Sequence, residues 1–296
     1  NVYGGNPLEL VEKALQKIPQ NYAAHDHLFS AFYRETIQKR KRYIGISEAV
    51  LDAYKTDYKM RDISHDRFQI LRGRRLQSQK SSDTLAVKIA GGPNLPVFLD
   101  VVKNGDDLLD VNTLHCYRFA MQISMSIDDR MQYVVAFEPR VVLDYPLYRG
   151  MLYIDQKTLS ITRAEFQLDM SDEEKSARFI LRKKPLGLRF KLQEVSYLVT
   201  YRYQDGKSYL NYLRNTIRFK CDWKKRLFSS TFTTSTEMVM VDRNDRPEER
   251  IRMKDAFKQR EVFYDVVEEY WNEDFWKDYN IIEPTESLES AVKKLK

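Results

Sequence analysis

From Leu114 to Ile127 the chain reads LHCYRFAMQISMSI, in which His115, Tyr117, Phe119, Met121, Ile123, Met125 and Ile127 alternate with small or polar residues. A period of two sends successive side chains to opposite faces of a strand, so this segment predicts a long β-strand with one apolar face. The alternation returns in most segments up to about Val241. The fold class that follows is mainly β (α+β): a large curved antiparallel sheet or half-barrel, apolar on one face and solvated on the other, with N-terminal and C-terminal helices packed on it. An apolar face must be covered. Whether helices, a ligand or a partner cover it is the functional question the pattern poses.

The 296 residues are read as a single domain, 1–296, because β architectures of this size form one core. It comprises an N-terminal helix over 1–22, the curved sheet over 28–242 with a mobile loop over 72–95, and a C-terminal helical segment over 256–296. Asn6 as N-cap, Pro7 at the first helical position and Leu8, Val11, Leu15 and Ile18 at helical spacing specify the first helix. Residues 28–38 and 42–55 read as a hairpin joined by a basic turn. Within it, Glu48 shares a face with Ile46 and Val50, so it needs a partner, and Arg34 is reachable in one register as a structural ion pair. Asp128-Asp129, Asp155-Gln156-Lys157, Ser171-Asp172 and Asp205-Gly206 mark turns of a meander, and a change of phase around Glu194 predicts a bulge that bends the sheet. The aromatic run from Val262 to Tyr279 predicts a helical lid anchored by Phe263, Trp271, Phe275 and Trp276, and residues 285–295 predict a terminal helix.

Composition narrows function mostly by exclusion. A mean hydropathy of −0.58 and 31% charged residues leave no transmembrane segment. The net charge of +6 is dispersed among 43 acidic residues, which argues against nucleic acid as a partner. Basic runs at Lys39–Arg42 and Arg72–Arg75 read as solvated turns, with a phosphate or headgroup patch as the alternative. Neither a zinc-hydrolase His-Glu spacing, a nucleophile elbow, a P-loop nor a dinucleotide glycine pattern occurs, so no catalytic residue, metal ligand or cofactor is assigned. His25-Asp26-His27 reads as a solvated turn, and His115 and Cys116, as neighbours on a strand, are expected to point to opposite faces. Cys116 and Cys221 read as two buried thiols, with a cross-strand disulfide as the alternative. The remaining signal is apolar. Tyr117, Phe119, Met121, Ile123 and Met125 are the candidates to line a site for an acyl chain or other apolar ligand, the alternative being a core filled by helices.

The segments ALQKIPQNY (14–22), FYRE (32–35), ISEAV (46–50), GMLYIDQKTLSITRAEF (150–166) and YNIIEPTESLESAVKKL (279–295) carry a resemblance. Together they resemble the part that follows the small regulatory domain in Bacteroidetes cell-envelope proteins named carboxypeptidase-like regulatory domain-containing proteins. That resemblance implies a transthyretin-like β-sandwich upstream of Asn1, export across the inner membrane, and residence in the periplasm or at the outer membrane. It implies neither peptidase activity nor zinc, and offers no catalytic residue to carry over. Separately, the strand, Asp turn and returning strand of 150–166 are similar to lipoprotein-carrier and related half-barrel folds, which implies an open barrel whose helical plug moves aside for an acyl chain. The first expectation is therefore a non-enzymatic envelope protein, an interaction or assembly module working with the upstream domain and other envelope proteins. The alternative is a periplasmic lipid or lipoprotein carrier, and a hydrolase of unknown type comes third.

Overall fold

The structure is a computed structural model, described for residues 4–80, 85, 87–89, 92–223, 229–258, 261–272 and 275–276. Ten of its strands form one open antiparallel sheet: β1 (His27–Lys39), β2 (Arg42–Lys55), β3 (Arg67–Gln77), β5 (Tyr117–Ile127), β6 (Arg130–Pro139), β7 (Tyr148–Asp155), β8 (Ile161–Leu168), β10 (Leu188–Gln204), β11 (Lys207–Trp223) and β12 (Ser230–Asn244). Their order is β3-β2-β1-β12-β11-β10-β8-β7-β6-β5, and β4 (Lys88–Ile89) pairs separately with β9 (Leu181–Lys183). Where a sharp hairpin is needed, the turn residues supply the left-handed backbone: Asp128 and Asp129 have φ of 49° and 58°, and Asp205 and Gly206 have 53° and 82°. The bulge foreseen at Glu194 is present, as β10 slips against β11 between Leu192 and Glu194.

A second bulge breaks the alternation of the segment Leu114–Ile127. Between Gln122 and Met125, β5 carries one more residue than β6, so its phase inverts there. Tyr117, Phe119 and Met121 lie opposite Pro139, Phe137 and Val135 on the inner face, whereas Met125 pairs with Gln132 on the other. Apolar residues stand on both sides of the slip, and alternation alone therefore conceals it. The strand also begins later than expected, because Leu114–Cys116 is a 3-10 turn.

The inner face carries one continuous core. α1 (Pro7–Gln16), with the Asn6 side chain accepting from Leu8 N at 3.0 Å, buries Leu10, Val11, Ala14 and Leu15 against it, and the short α2 (Ile18–Asn21) adds Ile18. The segment from α3 (Leu95–Leu99) to Leu114 adds Val97, Val101, Val102 and Leu109, and α4 (Glu173–Ile180) adds Ile180. The expected mobile loop over 72–95 is corrected at its start: Arg72–Gln77 belong to β3, paired with β2. The C-terminal helix is shorter than expected, a single turn, α5 (Phe263–Val266), followed by a 3-10 turn, Val267–Tyr270. The β-branched pair Val266-Val267 disfavours longer helix, and Phe263 and Val267, both fully buried, pin the chain locally. Gly73 allows this contact, since a Cβ there would fall 2.6 Å from the Val267 carbonyl. The expected terminal helix over 285–295 lies outside the described residues. The outer face is not solvated throughout: on β1 and β2 Phe32, Arg34, Ile46 and Glu48 are buried there as well.

Candidate functional site

Two of the cavities formed by the described residues open on the inner face. The first, about 410 Å³, lies between β1, β2, β12 and the segment Glu261–Asp265, with Leu85, Val87 and Gly92 closing a side. The second, about 800 Å³, lies between residues 94–107, α4 and strands β10 and β11. Arg182 of β9 lines both.

A polar row interrupts the apolar inner face beneath them. In register, Ser47 of β2 faces Glu35 of β1, which faces Thr236 of β12, which faces Asn215 of β11. Glu35 and Thr236 line the first cavity, and Asn215 lines the second. Glu35 is held through one oxygen only: Oε1 accepts from the Tyr33 hydroxyl at 2.5 Å and from Gly92 N at 2.9 Å. Oε2 has no partner among the described residues. Burial pushes this carboxyl above its usual range, and the two hydrogen bonds draw it back only in part. Gly92 has φ of +95°, a conformation open to glycine, and this delivers its N–H to the carboxylate.

The four lid candidates take different places. Phe263 is buried, lines the first cavity and meets the Tyr33 ring edge-on at 5.0 Å. Trp276 crosses to the outer side of edge strand β3: its indole N–H donates to the Gly73 carbonyl at 3.2 Å, and its ring lies 4.6 Å from the Arg74 guanidinium. Phe275 is half-buried beside it, ring centroids 5.2 Å apart, while Trp271 is 53% exposed. The apolar-ligand candidates lie elsewhere. Tyr117 is buried against Phe137, Phe119 and Met121 pack partly on the core, and Ile123 and Met125 are exposed. None of the five is among the residues lining either cavity, because β5 is the far edge of the sheet.

Arg34 and Glu48 face each other in register on the outer side, with Nε to Oε1 at 2.6 Å, and Arg74 Nε holds Oε2 at 2.5 Å. Extended through the pairing, Arg74, Glu48, Arg34, Glu237 and Arg214 alternate in sign across five strands.

At the other end of the hairpin a closed polar cluster has formed. Lys55 Nζ lies 2.7 Å from Asp66 Oδ2 and 2.9 Å from Asp100 Oδ2. Lys103 Nζ lies 2.5 Å from Asp66 Oδ1 and donates to both oxygens of Thr56. Tyr58 and Tyr201 donate to the two oxygens of Asp100. All four charged side chains are sealed from solvent. Burial pulls the Lys55 ammonium down, yet Asp100 and Asp66 outweigh it and push it up. Asp66 is lowered, because Lys55 and Lys103 overcome its burial. His27, expected in a solvated turn, is instead buried against Tyr58, and burial lowers its imidazole to about 4. The cluster and Glu35 went unread in the sequence, although one signal pointed to each. Glu35 shares the phase of Ala31, Tyr33 and Ile37, and Lys55 that of Leu51 and Ala53.

The 3-10 turn also corrects the expected divergence of His115 and Cys116, bringing Nε2 to 3.6 Å from Sγ. No third group among the described residues orients that imidazole, so the set needed for nucleophilic catalysis is incomplete. Cys116 and Cys221 are both buried and unbridged. Among the described residues no group of three or more His, Cys, Asp or Glu could hold a metal ion, and no helix is long and apolar enough to cross a membrane.

No protein-family profile matches the chain, and no curated protein does. Among solved structures it is similar to a DUF1329 family protein from Desulfovibrio piger, at 10% identity over 83% of this chain and 95% of that one, with a TM-score of 0.33. A putative outer membrane lipoprotein-sorting protein domain from Vibrio parahaemolyticus gives 12%, 84%, 95% and 0.33. A LolA superfamily protein from Nitrosomonas europaea gives 11%, 78%, 94% and 0.25. The half-barrel likeness noted for 150–166 has its counterpart in these neighbours, whereas the carboxypeptidase-like resemblance finds no support among them. At such TM-scores they assign this chain no ligand.

Proposed function

We propose that the chain is a non-enzymatic carrier or receptor for a ligand with an apolar chain, held on the inner face between β1, β2, β12 and the segment Glu261–Asp265. The observation that carries this reading is the space left after the aromatic segment has docked. Phe263 and Val267 are fully buried, yet a cavity of about 410 Å³ remains, walled by Ile37, Ile44, Leu85, Val87, Val262 and Phe263 with polar groups along its floor. Apolar walls with a few placed polar groups are the composition of small-molecule sites. A fully occupied inner face would have favoured the interaction-module reading instead. A periplasmic setting is part of the proposal and rests on the sequence resemblances.

Gly45 provides the test. A Cβ at this position would meet Ile37 Cδ1 at 3.5 Å and Tyr264 Cε2 at 3.7 Å, ordinary contacts, so Gly45→Leu places a side chain in the cavity without forcing the backbone. The wild-type protein is expected to bind one equivalent of a lipophilic fluorescent probe saturably. Gly45→Leu should lose that binding while keeping its melting temperature. Equal binding by the two proteins, or no saturable binding by the wild type, would overturn the reading.

A further inference from the structure

We infer that the ligand of the first cavity carries an amine, so that the site selects a cationic single-chain amphiphile over a fatty acid. The inference rests on the cavity reading above and adds the chemistry of the ligand's polar end. Its ground is the set of hydrogen-bonding groups that the fold leaves unused. Glu35 spends one oxygen on Tyr33 and Gly92 and lines the cavity with no partner for the other among the described residues. Further along the same register row, the Asn215 amide, 3% exposed, likewise has an atom without a partner among the described residues, where it lines the second cavity. The vacant atom at the first cavity is a carboxylate oxygen, an acceptor, so the complementary group there is a donor.

Charge then distinguishes among donors. Among the described residues, those lining the first cavity include three carboxylates, Glu35, Glu261 and Asp265, against one cation, Arg182. Glu261 is answered by Lys258 at 3.5 Å, and Arg182 is exposed, which leaves Glu35 half-buried with no cation against it among the described residues. A buried carboxylate in apolar surroundings is costly alone and is relieved by an ammonium within hydrogen-bond reach. A ligand carboxylate at that place would set two like charges together. An alcohol would satisfy the acceptor but not the charge.

Dodecylamine, dodecanol and dodecanoate, each competing with the lipophilic probe for the full chain, separate the possibilities. The expected order is amine, then alcohol, then acid, with the amine favoured over the acid by about tenfold or more, equivalent to roughly 1.4 kcal/mol. Glu35→Gln keeps an oxygen for Tyr33 and Gly92, and should erase the amine preference while leaving dodecanol binding unchanged. Dodecanol binding with no preference between amine and acid would overturn the selectivity and leave the cavity reading standing. A preference that survives in a folded Glu35→Gln protein would overturn the role of Glu35. Failure of all three compounds to compete would overturn the cavity reading, and the inference with it.

Discussion

The hairpin β1–β2 carries ionisable groups on its inner face toward both of its ends and treats them in opposite ways. At the end where His27 pairs with Lys55, two lysines and two aspartates neutralise one another, every carboxylate oxygen is engaged, and the imidazole beside them is kept neutral. At the end where Glu35 faces Ser47, a single half-buried carboxylate stands at a cavity with no partner for its second oxygen among the described residues. The lysines and aspartates of the first arrangement are all engaged with one another and join β2, the 56–66 loop, the 95–116 segment and β10 into one unit. The second is incomplete among the described residues. A closed network of this kind fixes packing, whereas an unfilled one costs stability unless something outside the chain completes it.

The largest effect should come from breaking the closed end. Asp66→Asn leaves the Lys55 and Lys103 ammonium groups buried against Asp100 alone, and is expected to cost about 3–5 kcal/mol in urea unfolding. A loss below about 1 kcal/mol would mean that water reaches the cluster and that the two ends are alike.

Next in size is the acid sensitivity of His27. Its imidazole is lowered from 6.5 to about 4 in the folded state, so stability is fully present above the unfolded value and falls as pH drops through that window, by up to roughly 3 kcal/mol. His27→Phe should flatten the difference between melting temperatures at pH 7 and pH 4. Parallel pH profiles for the two proteins would remove this imidazole from the account.

Glu48→Gln tests the charge ladder on the outer face. It leaves Arg34 and Arg74 with one neutral acceptor and is expected to cost about 2 kcal/mol, the scale of a hydrogen bond to a charged group. An unchanged melting temperature would count against a structural role for the triad.

The smallest effect should be the only one of opposite sign. Because the Glu35 carboxyl is raised in the folded state, its contribution is present below the unfolded value of 4.5 and is lost as pH rises through the folded one. Glu35→Gln should therefore raise the melting temperature slightly above neutral pH and leave it unchanged below pH 4.5. A variant less stable than wild type at pH 8 would show that the open end is in fact satisfied.

Much of this molecule was legible from residue order alone, and the legible part is the local part. A period of two gave the strands, Asp128-Asp129 and Asp205-Gly206 gave their turns, a phase change gave the bulge at Glu194, and Asn6-Pro7 gave the first helix, because each depends on neighbours within a few residues. Glu48 was identified as needing a partner by the same logic. Tertiary structure decided the rest. The second arginine on Glu48 comes from β3, 26 residues away, and the Lys55–Asp100 and Glu35–Gly92 contacts cross loops whose path no periodicity encodes. The bulge in β5 was silent because apolar residues stand on both sides of it, so the strand that looked most like a ligand surface became an edge. The cavity, too, exists only where β1, β2, β12 and the returning C-terminal segment fail to fill the space between them. Alternation states which side chains face inward, but the volume left over depends on how closely distant segments approach.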